Sequence, residues 1–371
     1  MNRTNWKPEK VKTAILPTPL HKLDNLSQQL PAEVYIKRDD MPGMAFGGNK
    51  LRKLDYLVKE AKDAGYTVLM TFGGTQTNHG RQTAAVACKY GMKSIIIANM
   101  HEAAPPESLS GNLLLDEILG CDVIFMDMSS INRQKDTLAP HEIRALTSKL
   151  RKAVAQKVIE MYEARGEKVY EMPAGGSSTT GVLGYFDCVE EILEQMKQQD
   201  LKLDYIVCSS GSNATYAGLW MGAKYYHAPF QVIGCTVSPY SWQKNIDMAK
   251  LINDTAERFG LDIHAEPEDV TLLGDYSGIG YDIPDEKTFA SIYRLARSEG
   301  IFVDPCYTGK GFTGMLDLIE SGKIPAGSHV CFLHTGGVPG LYSQQHLDMF
   351  TKQLWEGKEH KIISMDVNDL E

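Results

Sequence analysis

Five short loops in this chain gather the residue types that bind anions, condense with carbonyl groups or move protons. The first is Gly47-Gly48-Asn49-Lys50, immediately before an amphipathic run at 51–64. Its two glycines permit close backbone approach or a positive φ. A lysine in the first helical turn sits where the macrodipole disfavours a cation and lowers its pKa. Partly shielded from water, such an amine is suited to attack an aldehyde; on this loop alone, an ordinary helix start with a solvated lysine is the better account of the pattern. The second loop, G-G-T-Q-T-N-H-G at 73–80, follows a β-branched run and precedes a helical one. The main-chain N–H groups around Gln76, Thr77, Asn78 and His79 could hold a carboxylate, aided by the dipole of the following helix. The plainer alternative is a helix capped by Thr77 or Asn78, with His79 as a packing residue.

The third loop carries Ser209, Ser210, Gly211, Ser212, Asn213, Ala214 and Thr215. Small residues, hydroxyls and a helix start give it the composition of a phosphate cradle. It lacks both G-x-x-x-x-G-K-[ST] and G-x-G-x-x-G, so neither a P-loop nor a dinucleotide site is indicated. The fourth, D-P-C-Y-T-G-K-G at 304–311, contains Tyr307 and Thr308. The fifth, H-T-G-G at 334–337, follows an apolar run, and Thr335 there could offer a neutral hydroxyl to a ring nitrogen or merely cap the next segment. Other chemistries are poorly served: G-x-S-x-G, H-E-x-x-H and the calcium-loop pattern are absent. Cys331 and His334 would point to opposite faces of a strand, which argues against zinc.

The elements that must position these loops read as alternating strands and helices. Apolar or β-branched runs at 32–37, 67–72, 94–98, 122–126, 169–172, 205–209, 231–237 and 329–334 predict strands. Helical spacing of apolar residues appears at 51–64, 81–90, 110–119, 180–197, 216–226, 286–299 and 312–321. This alternation predicts an α/β fold of parallel βαβ units, with strands apolar on both faces because helices cover both. Ligands in such sheets bind beyond the carboxyl ends of the strands, so the strand-to-helix turns, four of them rich in Gly, Ser, Thr and Asn, are where a site is expected. A charged helical pattern at 140–165, with Pro140 suited to its first turn, could mark a boundary between two α/β layers.

Composition sets the frame. The chain has 371 residues, 38 Lys plus Arg and 47 Asp plus Glu, for a net charge of −9. It therefore lacks the basic footprint of a nucleic-acid binder. The seven cysteines are odd in number, form no C-x-x-C pair and lie mostly in apolar runs, the usage expected of free thiols in a reducing compartment. The N-terminal residues show no apolar signal segment, and no apolar run approaches the roughly 20 residues that span a bilayer. The expectation is a soluble cytoplasmic protein with neither nucleic-acid nor membrane partners.

Taken together, A-F-G-G-N-K-L-R-K-L, G-G-T-Q-T-N-H-G-R-Q-T-A-A, S-G-S-N-A-T-Y-A-G-L, D-P-C-Y-T-G-K and H-T-G-G-V-P-G-L, in this order, resemble the D-cysteine desulfhydrase and 1-aminocyclopropane-1-carboxylate deaminase family. The resemblance runs from about residue 17 to about residue 341. It implies a pyridoxal 5'-phosphate enzyme of fold type II, tryptophan-synthase-β-like, with two three-layer α/β domains and mainly parallel twisted sheets. The expected division is a large cofactor-binding domain from 1–48 and 166–371, and a small domain from 49–165 carrying the lysine and the carboxylate loop. Lys50 is implied to condense with the cofactor aldehyde and to move the substrate α-proton. Ser210, Gly211, Ser212, Asn213, Ala214 and Thr215 are implied to form the phosphate cup. Asn78 would bond the ring's phenolic oxygen, Tyr307 would lie beside the ring, and Thr335 would partner the pyridine nitrogen. Gln76, Thr77, Asn78 and His79 would hold the substrate.

Four departures from the family pattern stand out. Thr77 replaces a usual serine, and its extra methyl narrows the pocket. Ala214 stands where glycine is common, which requires a negative φ. Thr308 stands where the deaminase branch carries glutamate. The segment 129–165 is longer than usual. With H-T-G-G, Thr308 points to the desulfhydrase branch: β-elimination of a cysteine-like amino acid, D-cysteine by family, to pyruvate, ammonia and hydrogen sulfide. A neutral hydroxyl from Thr335 would not protonate the pyridine nitrogen, which suits elimination over transamination. The alternatives are a cyclopropane-opening deaminase, a lyase for L-cysteine or cysteate, and a protein that binds the cofactor without turnover. Family members are usually homodimers.

Overall fold

A computed structural model describes residues 6–100, 106, 108–134, 137–138, 140–278 and 280–356. Residues 1–5, on which the reading of the N-terminus partly rests, lie outside the described residues. The chain opens with β1 (Leu20–Lys22), α1 (Asp24–Ser27), β2 (Glu33–Lys37) and α2 (Lys50–Asp63). It continues through β3 (Val68–Gly74), α3 (Asn78–Lys89), β4 (Lys93–Met100), α4 (Gly111–Ile118), β5 (Asp122–Asp127), α5 (Ser129–Asn132), α6 (Pro140–Glu163) and β6 (Val169–Glu171). The remainder comprises α7 (Thr179–Gln198), β7 (Tyr205–Ser210), α8 (Ala214–Tyr225), β8 (Gln231–Thr236), α9 (Gln243–Phe259) and β9 (Leu272–Leu273). It ends with α10 (Glu286–Glu299), α11 (Thr308–Glu320), β10 (His329–Leu333) and α12 (Gln344–Thr351).

The strands form two sheets, one of six strands in the order β1-β2-β10-β7-β8-β9 and one of four in the order β5-β4-β3-β6. Every pairing is parallel except the β1–β2 edge. Alternation along the strands sends side chains to both faces. In the larger sheet, Val34, Ile36, Val207, Val330 and Phe332 pack on one side. Ile206, Cys208, Cys331 and Leu333 pack on the other, against α7 and α8. In the smaller sheet, Val68, Met70, Phe72, Ile95 and Ile97 meet Ala155, Val158 and Tyr162 of α6, while Leu69 faces α2 and α3. Burial on both faces is what parallel sheets require. All seven cysteines are free, and six of them are buried. Among the described residues, no helix is long and apolar enough to cross a membrane.

The predicted α/β alternation is present, with boundaries shifted by a few residues. Elements not predicted from the sequence are β1, α1, α5, β9, α9 and α12. Strands β1 and β9 are too short to show a period. Helix α9 has a clear apolar stripe at Met248, Ala249, Ile252 and Ala256, and Gly260 closes it at φ +64°.

Helix α2, which begins at Lys50, is tied to the larger sheet by a buried ionic cluster. Arg52 makes a two-pronged pair with Asp39, 2.7 and 2.9 Å, and a second with Glu191 of α7, 2.9 and 2.8 Å. The Tyr185 hydroxyl donates to Asp39 at 2.6 Å, and Lys37 donates to Glu191 at 2.5 Å. Burial pushes the Asp39 carboxyl up, but Arg52 outweighs it and holds the group at about 2.

Candidate active site

The carboxyl edges of the two sheets face a cavity of about 890 Å³. Lys50 lies at its base. The backbone reaches this point through Gly47 at φ +64° and Gly48 at φ +118°, conformations that favour glycine. A Cβ on Gly48 would come within 2.5 Å of Gln82 Nε2, so the close approach anticipated from sequence is required. Asn49 stitches the turn to the other layer: its N–H donates to the Thr335 carbonyl at 3.0 Å, and its Nδ2 to Thr215 Oγ1 at 3.0 Å.

Lys50 Nζ donates to Asn49 Oδ1 at 2.8 Å and stands 5.9 Å from the centre of the Tyr307 ring. No carboxylate pairs with it among the described residues. Burial, reinforced by the positive charge of Arg81, pushes its ammonium down to about 7. The helix dipole is expected to lower this pKa, but desolvation is the larger cause. The first turn of α2 contains Lys50, Arg52 and Lys53 and no acid. Lys53 is also buried, donates to the Gly175 carbonyl at 3.1 Å, and has a pKa driven well down by burial and by Lys50. Sequence reasoning passed over Lys53, although its spacing of three from Lys50 placed both on one helical face.

Thr77, Asn78 and His79 line the cavity. Thr77 is the N-cap of α3, accepting from the Gly80 N–H at 3.2 Å. His79 is buried, with Nδ1 2.9 Å from Thr71 Oγ1 and Nε2 without a partner. Burial and then the two nearby lysines lower its pKa well below the usual value, so the imidazole is neutral. Gln76 does not line the cavity. Its Oε1 accepts from the Asn112 N–H at 2.8 Å and its Nε2 donates to the Ser110 carbonyl at 3.1 Å, so its amide braces the loop against α4.

The turn after β7 brings Gly211, Ser212 and Asn213 to the cavity. Ser210, Ala214 and Thr215 stand behind them, buried. Ala214 opens α8 with an ordinary helical φ, meeting the condition set by its missing glycine. Helix α8 has no side-chain cap at Asn213. Across the turn, Gly175 adopts φ +68°, and a Cβ there would lie 2.2 Å from Ser212 Oγ. Tyr307 reaches the same turn: its hydroxyl accepts from the Gly211 N–H at 2.9 Å, while Asp304 Oδ2 accepts from the Tyr307 N–H at 2.8 Å. Thr335 lines the cavity. Thr308 does not; its hydroxyl lies 2.6 Å from Asp304 Oδ1 and 3.1 Å from the Gly336 carbonyl, behind the Thr335 turn.

Two further residues complete the site. Tyr281 lines the cavity from the segment before α10. Arg81 is fully buried beneath Asn78. Its Nη1 donates to Asn78 Oδ1 at 3.2 Å and to Asn112 Oδ1 at 2.7 Å, and its Nη2 donates to the Gly47 carbonyl at 2.9 Å. Asn112 Nδ2 also donates to Asn78 Oδ1, at 3.1 Å. With its oxygen engaged twice, Asn78 turns its Nδ2 donors elsewhere. Replacing Arg81 with methionine removes a positive charge near Lys50. Its amine pKa should then rise above about 7, by about one unit. Reductive ¹³C-methylation followed by NMR titration of the unloaded protein reads this directly.

The pyridoxal-phosphate dependent enzyme family matches residues 11–336. The chain belongs to that family. A D-cysteine desulfhydrase of Yersinia enterocolitica is 36% identical over 329 residues, 88% of this chain and 93% of that protein. A 1-aminocyclopropane-1-carboxylate deaminase of Mesorhizobium japonicum is 36% identical over 333 residues, 87% and 93% of the two chains. The crystal structure of a 1-aminocyclopropane-1-carboxylate deaminase homologue superposes with a TM-score of 0.79 at 32% identity, covering 93% of this chain and 96% of the other. This pyridoxal-phosphate enzyme therefore has the fold type II architecture anticipated from sequence. Its cavity also fits the cofactor chemically. Lys50 offers a buried amine with no acidic partner, and the uncapped start of α8 offers donors to a phosphate.

Proposed function

We propose that this enzyme catalyses β-elimination on a cysteine-like amino acid, D-cysteine in the leading case, yielding pyruvate, ammonia and hydrogen sulfide. The observation that carries the reading is the Lys50 amine: buried at the cavity base, free of acidic partners and shifted to about 7, it can exchange a proton near neutral pH. When bound, the cofactor supplies an aldehyde for the amine and an electron sink for the substrate α-carbon. Lys50 takes the proton from that carbon. Gly211, Ser212, Asn213 and the amides opening α8 hold the phosphate, backed by Ser210, Ala214 and Thr215. Asn78, its oxygen held by Arg81 and Asn112, would donate from Nδ2 to the phenolic oxygen. Thr77 and the amides beside it take the substrate carboxylate, with neutral His79 nearby and Gln76 bracing the loop from outside. Tyr307 would lie beside the ring, and the Thr335 hydroxyl would partner the pyridine nitrogen without protonating it, which would limit charge delocalisation and favour elimination.

Thr308 supports the desulfhydrase branch over the deaminase. Its buried hydroxyl is engaged by Asp304 and Gly336, and a glutamate there would bring a second carboxylate against buried Asp304. Product assay tests the reading. D-cysteine should yield pyruvate and sulfide, and 1-aminocyclopropane-1-carboxylate should yield 2-oxobutanoate at least about 100-fold more slowly, the scale on which shaped pockets discriminate. Faster release of 2-oxobutanoate would replace this reading with the deaminase. The proposal includes a homodimer with the division into 1–48 plus 166–371 and 49–165; sedimentation velocity measures the first.

A further inference from the structure

Helix α6 runs back along the smaller sheet from the carboxyl ends of its strands. Ala155, Val158 and Tyr162 press its inner face against Phe72, Ile95 and Ile97. Arg151 lies one turn before Ala155 on that same face, which delivers its side chain to the cavity rim. The guanidinium stands over the Phe72 ring, 5.5 Å from its centre, and Arg151 lines the cavity with Phe72, Gly73, Gly74 and Asn99. Its Nε is buried and makes no hydrogen bond, and no carboxylate forms an ion pair with it among the described residues. A buried guanidinium N–H without an acceptor leaves its desolvation uncompensated unless a ligand supplies one. The rest of the lining does not neutralise it. The charged residues there are Lys50, Arg151, Lys244 and Asp247, and Lys50 is committed to the cofactor. Among the described residues, Lys244, from α9 of the other layer, is held only by the Ser238 carbonyl and hydroxyl, 3.0 and 2.7 Å away. The volume of about 890 Å³ lies near the top of the range for drug-sized ligands, more than a cofactor and a three-carbon amino acid fill.

We infer that Arg151 anchors a second anionic group on the substrate side chain, so that the enzyme's substrate class extends to β-substituted alanines ending in a sulfonate or carboxylate. This rests on the β-elimination reading above. It adds an anion site on α6, distinct from the loop at the start of α3 that takes the α-carboxylate. With cysteate, the Cβ–S bond breaks and its electron pair leaves with sulfur. One cysteate and one water give pyruvate, ammonium and bisulfite. S-carboxymethylcysteine in the same way releases thioglycolate.

The test uses the cofactor-loaded enzyme with cysteate, S-carboxymethylcysteine, S-methylcysteine and cysteine. The wild type should show kcat/KM for the acidic pair at least about 10-fold above S-methylcysteine, a modest return for a charge-assisted contact. Arg151→Gln should cut the acidic pair by about 10- to 100-fold and leave S-methylcysteine and cysteine within about 3-fold, with Arg151→Lys restoring part of the loss. Calorimetry on the same loaded protein adds an arm that needs no turnover. 3-Sulfopropanoate should bind more tightly than propanoate in the wild type, and the two should bind alike in Arg151→Gln. Equal losses on all four substrates, which would make Arg151 an α-carboxylate or structural residue, overturn the inference, as does an absence of preference in the wild type. If no substrate yields pyruvate, the elimination reading fails while the calorimetric comparison still decides the anion site.

Discussion

Lys50→Ala is expected to abolish turnover, lowering pyruvate release by at least about 10⁴-fold, because one residue supplies both the condensing amine and the proton acceptor. The loaded variant should also lose its absorbance near the visible edge, since that band requires the lysine–cofactor linkage. The two readouts belong together: the first follows chemistry and the second follows the covalent bond. A variant that keeps the band would show that a different amine is used. Lys53, buried one turn further along the same helix, is the competitor that Lys53→Ala would then expose. Elevated pH does not rescue Lys50→Ala, whereas in the wild type the amine is neutral above about 7 and activity should rise through that region as pH increases.

The second large effect concerns stability. Arg52→Met removes the one guanidinium that faces both Asp39 and Glu191. Asp39 is fully buried, so its charge is left without its main partner. Breaking a buried pair from one side typically costs about 3–5 kcal/mol, read here as a lower urea midpoint. The sign of the pH dependence follows. Asp39 falls from 3.8 to about 2 on folding, so its contribution is present above about 3.8 and is lost as pH drops toward 2. Wild-type stability should decline over that interval. In Arg52→Met, Asp39 loses the partner that depresses its carboxyl, and that portion of the decline should disappear. Activity should fall as well, because the cluster holds the helix that begins at Lys50.

The strand-to-helix loops were legible because their chemistry is local. Gly47 and Gly48 declare a special backbone, Thr77 declares a cap, and the serine-rich turn after β7 declares a helix start with free donors. What escaped is set by contacts between distant positions. Arg52 meets Glu191 across 139 residues, and Arg81 meets Gly47 across 34, and no periodicity encodes either. Tyr281 and Arg151 reach the cavity only because α10 and α6 pack where they do. Gln76 shows the converse. It sits inside the motif, but its side chain is spent on Asn112 and Ser110, a direction that the sequence of the loop does not contain. The lowered amine pKa was anticipated with the wrong main cause, because burial depends on everything that surrounds the residue.

Asn49 bonds to Thr215 in the first turn of α8 and to the turn after β10, while the helix that follows it packs in the core of the smaller sheet. The reacting amine therefore sits on a turn gripped from both layers at once, so its place depends on the larger sheet as much as on the smaller one that its helix covers.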